Sequence, residues 1–105
     1  MATIEVNEKN FNEEVGGASV PVLVDFYASW CMPCRMLAPV LESLSAELDG
    51  RVKFAKVDVG DEPELADRYQ VRSVPTLMVF RDGKITDTLV GAVGKEQIKG
   101  LIGAY

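Results

Sequence analysis

The chain has no histidine and only two cysteines among its 105 residues. Lacking histidine, it lacks the side chain that most often serves as a base near neutral pH and as a nitrogen ligand for zinc. A structural zinc site inside one chain would therefore need carboxylates for half its shell. Basic residues are also scarce: eleven Lys and Arg stand against sixteen Asp and Glu, a formal net charge of −5. No clustered basic surface remains for phosphates, which argues against a nucleic-acid partner. No apolar run approaches the ~20 residues that a membrane-spanning helix requires. The segment Met1-Ala2-Thr3-Ile4-Glu5-Val6-Asn7-Glu8 has neither the basic start nor the apolar stretch of a secretory leader. These gaps lead to the expectation of a cytoplasmic protein, where thiols stay reduced and a cysteine pair is more often catalytic than structural.

What is present is an ordinary globular composition, 48% apolar, enough for one core and too short for two. Residues 1–105 are expected to form a single domain. Both cysteines lie in one pentapeptide, Trp30-Cys31-Met32-Pro33-Cys34, where an apolar strand gives way to a helix. A sulfur at a helix N-terminus faces unpaired N–H groups and the positive end of the helix dipole, which favour thiolate over thiol. The second sulfur is one turn on, close enough to form or open a disulfide with the first. Two other readings exist. A zinc site could be shared between chains, and a disulfide could be a plain staple, although closing so short a loop removes little chain entropy.

Along the chain, Ile4 and Val6 suit a short first strand. Asn7 suits the N-cap of a helix carrying Phe11 and Val15, ended by Gly16-Gly17. Residues 20–28 are almost continuously apolar and β-branched, as in a strand covered on both faces. From 33 to 48 the apolar spacing becomes helical, with Leu37, Val40, Leu41, Leu44 and Leu48 on one side. Pro33 fits the first turn; Pro39 falls inside the helix and is expected to kink it. Strands are expected over 52–59, 76–80 and 85–90, helices over 63–69 and 95–102. Asp82-Gly83 is a two-residue hairpin turn between the last strands. The order β-α-β-α-β-α-β-β-α implies parallel strands with crossover helices, then an antiparallel hairpin and a closing helix.

In this setting the chain resembles the thioredoxin family. Val24-Asp25-Phe26-Tyr27-Ala28-Ser29-Trp30-Cys31-Met32-Pro33-Cys34-Arg35 is similar to that family's active-site segment. Val74-Pro75-Thr76 matches its cis-proline loop and Phe54-Ala55-Lys56-Val57-Asp58 its third-strand segment, while Gly83, Gly91 and Ala92 fall where the family has them. The resemblance spans essentially the whole chain. It implies an α/β fold with a central mixed five-stranded sheet flanked by four helices. It also implies a thiol–disulfide oxidoreductase, a protein disulfide reductase that needs neither cofactor nor metal.

The resemblance further implies roles residue by residue. Cys31, partly exposed, would attack a client disulfide, and Cys34 would resolve the mixed disulfide. Asp25 would be a buried proton acceptor for Cys34, its proton affinity raised by burial and tempered by Lys56. Trp30, Met32, Pro33, Val74, Pro75, Thr76, Gly91 and Ala92 would form a docking patch for an extended client segment, about a cis peptide at Pro75. Partners would be disulfide-bearing clients and a thioredoxin reductase, a flavoprotein or another donor, with no membrane partner and the chain itself a monomer. The acidic residues Asp58, Asp61, Glu62 and Glu64 precede a helix and suit its dipole rather than a metal.

Three positions depart from the family pattern. Met32 replaces the usual glycine between the cysteines, which adds an oxidisable thioether and removes backbone freedom beside the nucleophile. Tyr27 stands where tryptophan is common, and Ser29 where an acidic residue or proline is frequent. Two alternative functions remain at this level: a related oxidase or isomerase, and a non-catalytic binding subunit using the same patch.

Overall fold

The computed structural model describes residues 3–103. Five strands form one mixed sheet in the order β1-β3-β2-β4-β5: β1 Ile4–Glu5, β2 Val22–Tyr27, β3 Lys53–Asp58, β4 Thr76–Arg81 and β5 Lys84–Val90. The β1–β3 and β2–β3 pairs are parallel; β2–β4 and β4–β5 are antiparallel. Three α-helices, α1 Met32–Glu47, α2 Pro63–Arg68 and α3 Lys95–Ile102, join a short π-helix, Asn12–Gly16. The mixed five-stranded sheet with four flanking helical segments is the architecture the sequence implied.

Strand alternation divides the core in two. Leu23 of β2, Phe54 of β3, and Leu77 and Val79 of β4 pack under Leu37, Leu41 and Leu44 of α1 and Ile98 and Ile102 of α3. Val22, Val24 and Phe26 of β2, with Met78 and Phe80 of β4, face the other way, onto Phe11, Val15 and Leu65. Both faces of β2 are thereby covered, which explains its unbroken apolar run. Each such large side chain stabilises the fold by about 1.5–3 kcal/mol on burial.

Local devices set the frame. Asn7 Oδ1 accepts the backbone N–H of Lys9 and Asn10, while Asn10 Oδ1 accepts that of Asn7; Asn7 thus closes the turn at 8–10 that leads into the helix, whose own N-cap is Phe11, without a side-chain bond. The expected α-helix there becomes a π-helix, with Gly17 N–H donating to Asn12 O. Phe11 and Val15 stay buried, so the wider turn still places both in the core. α1 runs for 16 residues through Pro39 without ending there. In the β4–β5 hairpin Asp82 and Gly83 both take positive φ, 53° and 77°, the conformation an Asp-Gly turn of this length requires. Glu47 of α1 holds both Lys95 (3.0 Å) and Lys99 (2.8 Å), fastening α3 to α1.

Candidate active site

β2 ends at Tyr27, and α1 starts at Met32 with Cys31 as its N-cap. Cys31 has extended backbone angles, and its Sγ accepts the Cys34 N–H at 3.2 Å. Sulfur thus takes the place that a serine or aspartate oxygen usually holds at a helix start, satisfying one of the orphan N–H groups. Pro33, in the first turn, removes another donor that would lack a partner. Cys31 and Cys34 are joined in a disulfide, their Cα atoms 5.3 Å apart.

Cys31 is more enclosed than the resemblance implied, and Cys34 is buried with it. Cys31 is 5% exposed, because Ala28, Tyr27, Val59 and Val74 pack around the pair. Its Sγ lies 3.8 Å from Val74 O. The Val74–Pro75 peptide is cis. Gly91, at φ +102°, donates its N–H to Pro75 O at 2.8 Å and so ties the end of β5 to the same loop. Few side chains tolerate that backbone angle.

Around the enclosed sulfurs the surface is apolar. Trp30 is 75% exposed and Met32 60%, with Pro33 and Ala92 exposed and Gly91 and Val74 half-buried beside them. Met36, one turn after Met32 on α1, and Val90 at the end of β5 are further exposed apolar side chains that the motif did not name. Thr76 departs from the expected patch. It is buried, its hydroxyl donates to Ser73 O at 2.7 Å, and it pairs with Phe26 and Val90 in the sheet. Pro75 is buried as well. Those two shape the loop from within rather than offering side chains at the surface.

Below the disulfide an open cavity of about 220 Å³ is lined by Asp25, Tyr27, Cys34, Arg35, Ala38 and Lys56, among others. Asp25 is 5% exposed, and its Oδ1 has no hydrogen-bond partner among the described residues. Burial raises its pKa from 3.8 to about 7; Lys56 pulls it down and Glu5 pushes it up. Lys56 is the register partner of Asp25 across the β2–β3 pair. Its ion pair, however, is with Glu5, Nζ to Oε1 at 3.8 Å, and its Nζ sits 5.8 Å from the Tyr27 ring centroid. Tyr27 in turn donates its hydroxyl to Glu5 Oε2 at 2.9 Å. Glu5 carries no motif and escaped the sequence reading; the pairing of β1 with β3 is what brings it here. Arg35 Nε donates to Ser29 O at 3.1 Å, bracing the loop ahead of Cys31.

A larger cavity of about 350 Å³ opens at the N-terminal ends of β1 and β3, lined by Ile4, Val20, Val52 and Phe54 among others. None of the candidate site residues lines it. Of the acidic residues before α2, Asp58 Oδ1 accepts the nearby Gly60 N–H, while Glu62 Oε1 accepts the N–H of Glu8, distant in sequence. Among the described residues no three His, Cys, Asp or Glu side chains converge as a metal site would require, and no helix is long and apolar enough to cross a membrane.

Comparison with known proteins agrees with this geometry. The thioredoxin family model matches residues 2–104. Thioredoxin of Porphyra purpurea is 40% identical over 105 residues, covering 100% of this chain and 98% of its own length. Thioredoxin of Synechocystis sp. is 43% identical over 104 residues, 99% of this chain and 97% of its own. Thioredoxin 1 of Synechococcus elongatus reaches 49% over 90 residues, 86% and 84% of the two chains.

Proposed function

The chain belongs to the thioredoxin family, and from that premise we propose how its residues divide the work of exchanging a disulfide. It is a thiol–disulfide oxidoreductase, and membership implies disulfide-bearing client proteins together with a reductase that returns the electrons. The single observation that carries the assignment is the Cys31–Cys34 disulfide at the start of α1, with Cys31 Sγ accepting the Cys34 N–H.

In the reduced protein the same N–H and the helix N-terminus favour a thiolate on Cys31. That thiolate attacks one sulfur of a client disulfide, forming a Cys31–client bond and releasing the client's other sulfur as thiolate. Asp25 then takes the proton of Cys34. The cavity they share is roomy enough for water to carry it. The Cys34 thiolate attacks Cys31 Sγ, the mixed disulfide breaks, and the client's second thiolate leaves. Two electrons have passed to the client, and the Cys31–Cys34 disulfide remains for the reductase to open. An Asp25 with pKa near 7 suits both directions, since a base works best when its pKa lies near the working pH. Lys56 moderates that value.

Clients dock as extended segments against Trp30, Met32, Pro33, Val74, Gly91 and Ala92, with the Val74 backbone as a pairing edge. Pro75 and Thr76 hold that edge in place from beneath. The protein works as one domain and as a monomer, in the cytoplasm, with a flavoprotein or comparable reductase as donor and no nucleic-acid or membrane partner. Dithiol-dependent reduction of insulin tests this directly. Cys31→Ser should abolish turnover, and Cys34→Ser should accumulate a covalent client adduct visible by non-reducing electrophoresis. Undiminished turnover in Cys31→Ser would remove Cys31 as nucleophile; client binding retained without any turnover in the wild type would support a binding subunit.

A further inference from the structure

The register of three parallel strands sets Glu5 of β1, Lys56 of β3 and Asp25 of β2 in one row. Residues in register on neighbouring parallel strands stand about 4.8 Å apart and project to the same face. One cation therefore stands between two carboxylates. It leans toward Glu5, with which it forms its ion pair at 3.8 Å, and its Nζ is also over the Tyr27 ring at 5.8 Å. Tyr27 fixes the other oxygen of that carboxylate through its hydroxyl, at 2.9 Å. Glu5 is thus held from two sides, by a phenol and by an ammonium, while Asp25 Oδ1 has no hydrogen-bond partner among the described residues.

We propose that Glu5 and Tyr27 are positioning residues for Lys56: they draw its ammonium toward the β1 side of the cavity and limit the charge it lends to Asp25. The inference rests on the reading of Asp25 as proton acceptor for Cys34. Neither Glu5 nor Tyr27 acts on the sulfurs; Glu5 repels the Asp25 charge directly as well, and the proposed part of its effect is the part that passes through Lys56. Coulomb attraction in a partly desolvated site falls steeply as the ammonium is displaced or screened by a competing carboxylate. Were Lys56 free to settle on Asp25, the buried carboxyl would ionise at lower pH and become a weaker base. Burial raises the Asp25 pKa most, Lys56 lowers it, and the Glu5 charge raises it by direct repulsion, so holding Lys56 toward Glu5 acts in the same direction as that repulsion.

Other charges face this site from each neighbouring element. Arg35 lines the cavity from α1, its Nε occupied by Ser29 O. Asp58 lies two residues beyond Lys56 on β3. Glu42 of α1, which accepts from Thr3 N–H and Oγ1, also feels the Lys56 charge. Tyr27 is kept a hydroxyl donor by burial first and by its bond to Glu5 second, both of which push its pKa up. These neighbours are retained in each variant below, so differences between variants isolate the Glu5–Tyr27–Lys56 row.

The test follows the Asp25 carboxyl ¹³C resonance through a pH titration of the disulfide form, in which no thiol titrates. Glu5→Gln should move the Asp25 midpoint to lower pH, a several-fold loss of proton affinity. Tyr27→Phe should move it the same way by less, and should add little in the Glu5→Gln background. Lys56→Met should move it to higher pH, and Glu5→Gln should then shift it less than it does with Lys56 present, only the direct repulsion remaining. An Asp25 midpoint unmoved by Glu5→Gln, or moved equally with Lys56 present and absent, would overturn the proposal. Full additivity of Tyr27→Phe with Glu5→Gln would overturn the part given to Tyr27. Because the carboxyl is read directly, the outcome is separate from the catalytic reading. Asp25→Asn that keeps the wild-type pH profile of client reduction would sink Asp25 as proton acceptor and leave the midpoint shifts standing.

Discussion

The two faces of the sheet are built from the same strands yet differ in one position. Beneath the π-helix and α2, β2 presents Val22, Val24 and Phe26. There Phe11, Tyr69 and Phe80 meet ring to ring, with centroids 5.3 to 5.7 Å apart, a geometry that adds to plain area burial. Beneath α1 the next residues along β2 are Leu23, then Asp25, a buried carboxyl beside a cavity. The first face is packed as protein interiors usually are. The second interrupts the same packing with a group whose desolvation is unfavourable, at the one place where the sulfurs lie overhead. The contrast separates what holds the fold from what performs the chemistry: both share a strand, and alternation keeps them apart.

That separation can be broken first from the apolar side. Phe26→Ala removes a fully buried ring and should cost about 3–5 kcal/mol of stability in urea unfolding, while leaving the Asp25 titration midpoint in place. A moved midpoint would mean that the faces are not independent.

The next effect comes from the polar side and has the opposite sign. Folding raises the Asp25 pKa from 3.8 to about 7. Between those values the native state holds a proton that the unfolded chain has lost. The stability linked to Asp25 is therefore complete below pH 4 and is lost as pH rises through 7, in all about 4 kcal/mol. Asp25→Asn should then be more stable than wild type above pH 7, by up to about 4 kcal/mol, and should converge on it below pH 4. Urea unfolding across that range checks this; an equal difference at pH 4 and pH 8 would refute the burial argument.

The smallest effect on stability belongs to Met32, which is exposed in the first turn of α1 and contributes little to either face. Met32→Gly frees the backbone beside Cys31, so redox titrations of the two proteins should give different midpoint potentials with nearly equal unfolding curves. Superimposable redox curves would make the dipeptide change neutral.

Much of this is legible in the sequence. The apolar run of β2, the helical spacing of α1, the Asp-Gly turn and the cysteine spacing each depend on neighbours within a few residues. The less legible features depend on distant ones. The π-helix at Asn12–Gly16 satisfies the same Phe11–Val15 burial that an α-helix would, so spacing alone did not separate the two. Thr76 reads as a loop residue at the edge of a motif, and only its pairing with Phe26 and Val90 buries it. Cys31 is enclosed by Val74, 43 residues away. Glu5 has no signal of its own, since its meaning comes from lying in register with Lys56.

By itself, then, the sequence determined the reaction: two sulfurs one helical turn apart, at a helix start, with no histidine to compete as base. Those are properties of covalent spacing and of local backbone geometry, and they survive any arrangement of the remaining elements. Tertiary structure decided how the reaction is tuned. How strongly Asp25 holds its proton, and where Lys56 places its charge, depend on burial and on Coulomb fields across strands that only the folded sheet brings together.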